Sequence, residues 1–467
     1  MTTKPSSVFT PELLSPAGTL NNMKYAFAYG ADAVYAGQPR YSLRVRNNDF
    51  TLDNLGNGIE YAHNLGKQFY VASNIAPHNS KVATYMRDIE PVIEMKPDAL
   101  IMSDPGLIML VKDKWPDQVV HLSVQANVVN YASVEFWRRQ GVSRIILSRE
   151  LSLQEIAEIR EKCPEMEIEV FVHGALCIAY SGRCLLSGYM NHRDPNQGTC
   201  TNACRWKYDA HEAEETASGD VVPKGVNEFD PTLGLGNTTD KIFLLQEPNR
   251  PNEYMPAFED EHGTYIMNSR DLRAIQHIEK LVELGVHSLK IEGRTKSHYY
   301  VARTAQAYRK AIDDAVAGRG FDKGLMDTLE NMSNRGYTEG FFRRHVHDEY
   351  QNYERGVSVS VHQQFVGQIT ERRGDRLTVE VKNRFQNGDT VELMTTVGNH
   401  TFVLDDIRDT GGNPREDAPG SGFIVTIPAS ALDAVFGENF PVERAMLIRN
   451  LPDAPLPVTA SAATQSF

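Results

Sequence analysis

Eight times within its first 300 residues the chain repeats one pattern: a short apolar run ending in a polar residue or glycine, with stretches of helical period between the runs. The runs are ELLSPAG at 12–18, AVYAGQ at 33–38, FYVASN at 69–74, ALIMSD at 99–104, HLSVQA at 121–126, RIILSR at 144–149, EIEVFVHG at 167–174 and SLKIEGR at 288–294. Short, nearly continuous apolar strands alternating with helices imply a parallel sheet buried on both faces. Eight of them predict an α/β fold, a (β/α)8 TIM-like barrel spanning residues 10–320. No G-x-G-x-x-G turn follows the first run, which argues against an open dinucleotide-binding sheet.

The spacing breaks once. About 110 residues separate the seventh run from the eighth, where earlier runs lie roughly 20–35 apart. The insertion, 175–270, leaves from the C-terminal end of the seventh strand, the end at which this fold does its chemistry. Its later part, 211–240, is polar and turn-rich and reads as an exposed loop or hairpin. After the eighth run, residues 298–318 form an amphipathic helix that should close the barrel, followed by a helical linker over 321–356. From 357 to 452 short period-two segments between Gly, Asn and Asp turns predict a small C-terminal antiparallel β-barrel. The tail, 453–467, has little to pack and reads as disordered.

The insertion holds Cys177, Cys184, Cys200 and Cys204 within 28 residues, separated by six, fifteen and three residues; Cys163 stands apart. No segment reaches the roughly 18–20 apolar residues of a membrane-spanning helix, and the N-terminus lacks an apolar signal core, so the chain reads as cytoplasmic. In that reducing compartment the cysteines are not expected to form disulfides. Four thiolates from one excursion suit a zinc ion or an iron–sulfur cluster. Zinc sites usually show two close pairs, and here only Cys200 and Cys204 form one. The net charge of −13 speaks against sequence-blind nucleic-acid binding and leaves room only for a local basic groove.

Several polar residues end the strands, where a barrel presents side chains to a ligand: Asn74, Asp104, Gln125, Arg149, His173 and Glu292. Arg149 also stands beside Glu150 as a candidate ion pair. Lys290 and Arg294, near the end of the eighth strand, form a candidate anion clamp, although alternation leaves open which way Lys290 points. The segment 38–48 carries Arg40, Arg44 and Arg46 with Tyr41, a mixture of forked cations and a stacking ring suited to single-stranded RNA. Proteolytic motifs are weak. HEAEE at 211–215 lacks the second histidine of a zinc protease helix, no G-x-S-x-G elbow is present, and a Cys177–His173 pair is the remaining arrangement.

The string E-x-F-x-x-G-A-L-C-x-x-x-x-G-x-C-x-L-S, from Glu169 to Ser187, resembles the signature of the collagenase-like peptidase family of unknown catalytic type. PELLSPAG, GADAVYAG, YSLRVRNNDF, LIMSDPG, LSVQAN, SREL, GTCTNACRW and SLKIEGR extend the similarity over nearly the whole chain. The resemblance implies membership of a group that, despite its name, includes RNA hydroxylases and an iron–sulfur-dependent ubiquinone hydroxylation pair. It further implies a [4Fe–4S] cluster on Cys177, Cys184, Cys200 and Cys204, supplied by the iron–sulfur assembly machinery. The substrate it implies is the wobble uridine in the tRNA anticodon region, hydroxylated at C5 with prephenate as co-substrate. A collagenase-like peptidase and a non-catalytic RNA-binding factor are the alternatives.

Overall fold

The computed structural model describes residues 9–43, 49–177, 180, 183–184, 194–198, 209–215, 221–223, 242–246, 254–260, 263–264, 270–332, 334, 336–343 and 363–451. Seven parallel strands follow one another: β1 (Glu12–Pro16), β2 (Ala33–Gly37), β3 (Gln68–Ser73), β4 (Ala99–Met102), β5 (Val120–Leu122), β6 (Arg144–Ile146) and β7 (Glu167–Ala175). An eighth, β8 (Ser288–Ile291), runs parallel to both β7 and β1 and closes the barrel. The eight observed strands begin within one residue of the apolar runs; all but β7, which runs one residue longer, stop one to four residues earlier, because the polar end of the run has already turned into a loop.

Helices alternate with these strands: α1 (Leu20–Ala28), α2 (Leu52–Asn64), α3 (Asn79–Glu94), α4 (Pro105–Lys114), α5 (Tyr131–Arg139), α6 (Leu153–Lys162), α7 (Ile278–Glu283) and α8 (His298–Val316). Most start at a side chain that accepts an otherwise orphaned backbone N–H. Thr19, Thr51, Asp104, Asn130 and Ser297 do so for α1, α2, α4, α5 and α8. Ser152 and Glu155 form a full capping box on α6.

The barrel interior is not purely apolar. Arg144 on β6 reaches Glu12 on β1 at 2.7 Å, and those strands are not neighbours, so the contact runs through the interior. Arg144 also meets Glu169 at 3.4 Å, and Glu169 holds Lys290 at 2.8 Å. Tyr70 and Ser288 donate to Glu12 at 2.6 and 2.7 Å. Buried ion pairs of this kind rarely add net stability, but removing one member strands a charge.

The insertion contributes a five-stranded antiparallel sheet, with strands Asp209–Glu215, Val221–Pro223, Ile242–Gln246, Tyr254–Asp260 and Gly263–Thr264. The first two pair as a hairpin within the stretch expected to be loop or hairpin. The larger sheet arises because apolar runs at 242–246 and 254–260 pair antiparallel. Strand Asp271–Arg273 then returns antiparallel to the end of β7, and Tyr337–Thr338 pairs parallel to it. Among its described residues, the segment expected as a helical linker holds a helix, Gly324–Glu330, and a strand that joins the barrel sheet.

The C-terminal strands are antiparallel, as their alternation predicts. They form an eight-stranded sheet around its own core of Val366, Leu377, Val379, Leu393 and Ile427, among others. Among the described residues its hydrogen-bonded order runs from Gly398–Val403 to Pro414–Arg415. The sheet docks on α1 and α8: Arg303 forks onto Glu392 with two 2.8 Å bonds, and Tyr29 donates to the carbonyls of Met394 and Arg444. The tail 453–467 lies outside the described residues. Among the described residues no helix is long and apolar enough to cross a membrane.

Candidate functional site

The C-terminal mouth of the barrel is ringed by the residues that follow the strands. Asn74, after β3, accepts from the Leu43 N–H at 3.2 Å and donates to Ser123 Oγ at 3.1 Å, tying two rim loops together. Asp104 accepts from the Leu107 N–H at 2.9 Å and is spent as the N-cap of α4. Gln125 sits in the single 3₁₀ turn Val124–Ala126 on the same rim.

Arg149 pairs not with Glu150 but with Glu292, at 2.9 Å across the rim. Adjacent residues at a strand end diverge, so Glu150 takes the Ser148 hydroxyl while Arg149 turns toward the mouth. The Arg149 guanidinium lies 3.8 Å from the centroid of Phe171, and its other nitrogen donates to the Ala175 carbonyl at 2.6 Å.

His173 does not face the mouth. The β7–β8 register slips between Lys290 and Ile291, so that Lys290 pairs with Phe171 but Ile291 pairs with His173. That irregularity turns the imidazole toward the covering helix, where Tyr300, Tyr308 and Tyr337 surround it with ring centroids at 5.4–5.8 Å. Nδ1 meets the Tyr308 hydroxyl at 3.3 Å and Nε2 is buried without a partner. Burial pushes its pKa down from 6.5 to about 3, assisted by the charges of Lys296 and Arg273. A neutral, walled-in ring is not placed to activate Cys177, which is exposed.

Lys290 points neither outward nor into the mouth. It is sunk in the interior, bonded to Glu169 and roofed by the Tyr35 ring, 4.3 Å from its ammonium, and by Phe171 at 5.4 Å. Burial lowers its pKa while Glu169 works in the opposite direction. Arg294 is also buried. Its Nη2 donates to the Leu43 carbonyl at 2.6 Å, through a gap that exists because residue 37 is glycine: a Cβ there would lie 2.5 Å from Arg294 Nη1. The expected Lys290–Arg294 clamp therefore does not form, because alternation sinks one cation and the loop draws off the other.

Leu43 is thus held by its N–H from Asn74 and by its carbonyl from Arg294. These two anchors present the segment that continues into Arg44 and Arg46, which lie outside the described residues. Arg40 is described. It is exposed, has a left-handed φ of 69°, lies 5.6 Å from the Tyr41 ring and pairs with Asp88 at 2.8 Å.

Of the clustered cysteines, Cys177 is exposed and Cys184 half-buried, while Cys200 and Cys204 lie outside the described residues. Cys163 is buried at the end of α6, its thiol directed at the Tyr131 carbonyl, apart from the mouth. Asp194, Pro195 and Asn196, residue types that favour turns, form one here, with Asp194 accepting from the Asn196 N–H at 2.8 Å. Asn196 was not singled out from the sequence as a functional residue, yet it donates to the Cys184 carbonyl at 3.0 Å, and its own carbonyl accepts from the Ala76 N–H at 3.0 Å. Its place in a Pro-containing turn between two cysteines was the available signal.

This barrel, with its cysteine-bearing excursion at the mouth and its docked C-terminal sheet, is matched by Peptidase family U32 over residues 18–352 and by the Peptidase family U32 C-terminal domain over 362–449. The chain belongs to peptidase family U32. Among U32 relatives, the tRNA hydroxylation protein P of Escherichia coli (strain K12) is 63% identical over 448 residues, 95% of this chain and 97% of that one. The protein of the same name from Haemophilus influenzae is 61% identical, with the same coverage of each chain. The 23S rRNA 5-hydroxycytidine C2501 synthase of Escherichia coli is 28% identical over 86% of this chain and 55% of that longer one. At this mouth His173 is turned away from Cys177, and Arg149 pairs with Glu292.

Proposed function

We propose that this chain is a nucleic-acid hydroxylase whose target is tRNA, and that it converts the wobble uridine to 5-hydroxyuridine by hydroxylation at C5. The observation that carries the reading is 63% identity across almost the full length of a relative named for tRNA hydroxylation, with a second relative named for 5-hydroxycytidine synthesis in rRNA. In this reading prephenate is the co-substrate, the tRNA anticodon region is the partner and the protein works in the cytoplasm.

We further propose that Cys177, Cys184, Cys200 and Cys204 hold a [4Fe–4S] cluster delivered by the iron–sulfur assembly machinery. The described residues fit such a group: Cys177 leaves the barrel at the end of β7, the Cys184 carbonyl is bonded to Asn196, and an all-sulfur donor set suits a cubane cluster. When bound, a cluster of this kind supplies electron transfer or Lewis acidity. The protein's own side chains supply the rest. Tyr35 and Phe171 roof the buried Lys290, Arg149 and Glu292 shape the rim, and in this reading Arg40, Arg44 and Arg46 are the cations that meet the RNA backbone.

Mass analysis of tRNA nucleosides from a strain lacking the gene tests the reading. Nucleosides derived from 5-hydroxyuridine should fall, or vanish if no second pathway operates. Unchanged levels, with any parallel pathway also removed, would rule out tRNA as the substrate.

A further inference from the structure

We infer that Arg149 and Asn196 are positioning residues that pin the cysteine-bearing segment at opposite rims of the barrel, Arg149 at the root of Cys177 and Asn196 at Cys184. The inference depends on the iron–sulfur reading only for what the cysteines bind. The geometry comes from barrel closure. In the closed order β1 to β8, β3 and β7 are four places apart in either direction, so they face each other across the mouth.

At the β7 rim, Arg149 is immobilised on three sides: by the Ala175 carbonyl at 2.6 Å, by Glu292 at 2.9 Å and by the face of Phe171 at 3.8 Å. Ala175 is two residues before Cys177, so this contact sets the direction in which the first cysteine leaves the barrel. Glu292 is itself fixed, because its N–H donates to the His173 carbonyl and its carbonyl accepts from the Tyr300 hydroxyl, each at 2.8 Å. Gly174 permits this close approach. With φ at 104°, a Cβ at that position would stand 2.5 Å from the Glu292 carbonyl oxygen.

At the β3 rim, Asn196 makes the second attachment. Its carbonyl accepts from Ala76, three residues beyond β3, and its side-chain amide donates to the Cys184 carbonyl. Cys184 follows Cys177 by only seven positions, yet it is held from the far side of the mouth. The described cysteines are therefore fixed by two independent hydrogen-bonded anchors, one at each end of a diameter. Metal-ligand geometry is ordinarily held by such outer partners, whose removal costs about 10–100-fold in affinity.

The test uses the full chain carrying Asn196→Ala or, separately, Arg149→Lys. The first removes the donor to Cys184 while keeping the backbone bond to Ala76. The second keeps a positive charge for Glu292 but cannot bridge to the Ala175 carbonyl as well. In metal-free protein, alkylation of Cys184 by iodoacetamide, read by mass spectrometry, should be several-fold faster in Asn196→Ala, with buried Cys163 as the unchanged internal standard. After anaerobic reconstitution with iron and sulfide, iron retention against a chelator should weaken by about tenfold or more in both variants. Circular dichroism and thermal melting should match wild type. Unchanged alkylation together with unchanged iron retention overturns the inference. Wild-type protein that takes up no iron overturns the iron–sulfur reading instead, and the alkylation rate of Cys184 then decides the Asn196 anchor by itself.

Discussion

His173 illustrates how far a residue's surroundings can change its chemistry. A histidine at the end of a barrel strand, four residues before a cysteine, has the sequence position of a general base. In the fold it is a neutral ring boxed by three tyrosines, with a pKa of about 3 caused mainly by burial. The consequence for stability has a definite sign. The folded pKa lies below the ordinary value of 6.5, so between the two the unfolded chain binds the extra proton and stability is lost as pH falls. His173→Phe retains an aromatic ring in the box, and the Tyr308 hydroxyl still donates to the Val172 carbonyl at 2.7 Å. The stability difference between wild type and this variant should therefore shrink below pH 6.5 by up to roughly 1.4 kcal/mol per pH unit. Urea melts at pH 7, 6 and 5 measure it, and a difference independent of pH would show that the ring titrates normally.

Helix α8 serves two cores at once. One side carries Tyr300 and Tyr308 against the end of β7, and Arg303 reaches the C-terminal sheet to fork onto Glu392. Both partners of that pair are largely buried, and Gln363 adds a third donor to Glu392 at 3.0 Å. Alongside it Tyr299 stacks on Phe365 with centroids 5.6 Å apart. Removing one charge leaves the other buried and uncompensated, at a cost of about 3–5 kcal/mol, whereas replacing both by apolar residues of similar volume costs far less. Arg303→Ala should accordingly lower stability by about that amount, and Arg303→Met combined with Glu392→Leu should recover most of it. Calorimetry of the single variant should also resolve unfolding of the C-terminal sheet from that of the barrel. Equal destabilisation of the single and double variants would mean that packing, not charge, joins the two units.

For the molecule as a whole, the net charge of −13 sets the terms of any encounter with RNA. Much of the positive charge is already neutralised: even exposed Arg40 is paired with Asp88, and many other arginines pair with carboxylates. Attraction to tRNA must then come from a few local cations. Replacing Arg40, Arg44 and Arg46 together by Ala should weaken tRNA binding. It should also flatten the dependence of log affinity on log salt, by about one unit for each phosphate that the variant no longer neutralises. Under the proposed iron–sulfur reading the same variant should bind iron as wild type does, because the cysteines belong to a different segment. Binding as tight as wild type at two salt concentrations would reduce the segment to a solvated surface.

Periodicity, capping residues and cysteine spacing are local properties, and the sequence by itself determined what depends on them. The eight barrel strands, the helices between them, the excursion after β7, the Asp194–Pro195–Asn196 turn and the antiparallel texture of the C-terminal region are all legible in single segments. The strand order of the C-terminal sheet is not, since alternation marks a strand without naming its neighbours. Nor are the partners of individual charges. His173 is turned out because a register slip of one residue reverses the side of a strand on which a side chain emerges, whereas Lys290, before the slip, is sunk by ordinary alternation. Arg149 finds Glu292, and Arg144 finds Glu12, only because closure brings together strands far apart in the chain. The tertiary structure alone decided these roles, since the direction of a strand-end side chain and the identity of what it meets are set by register and closure, neither of which is written in any single segment.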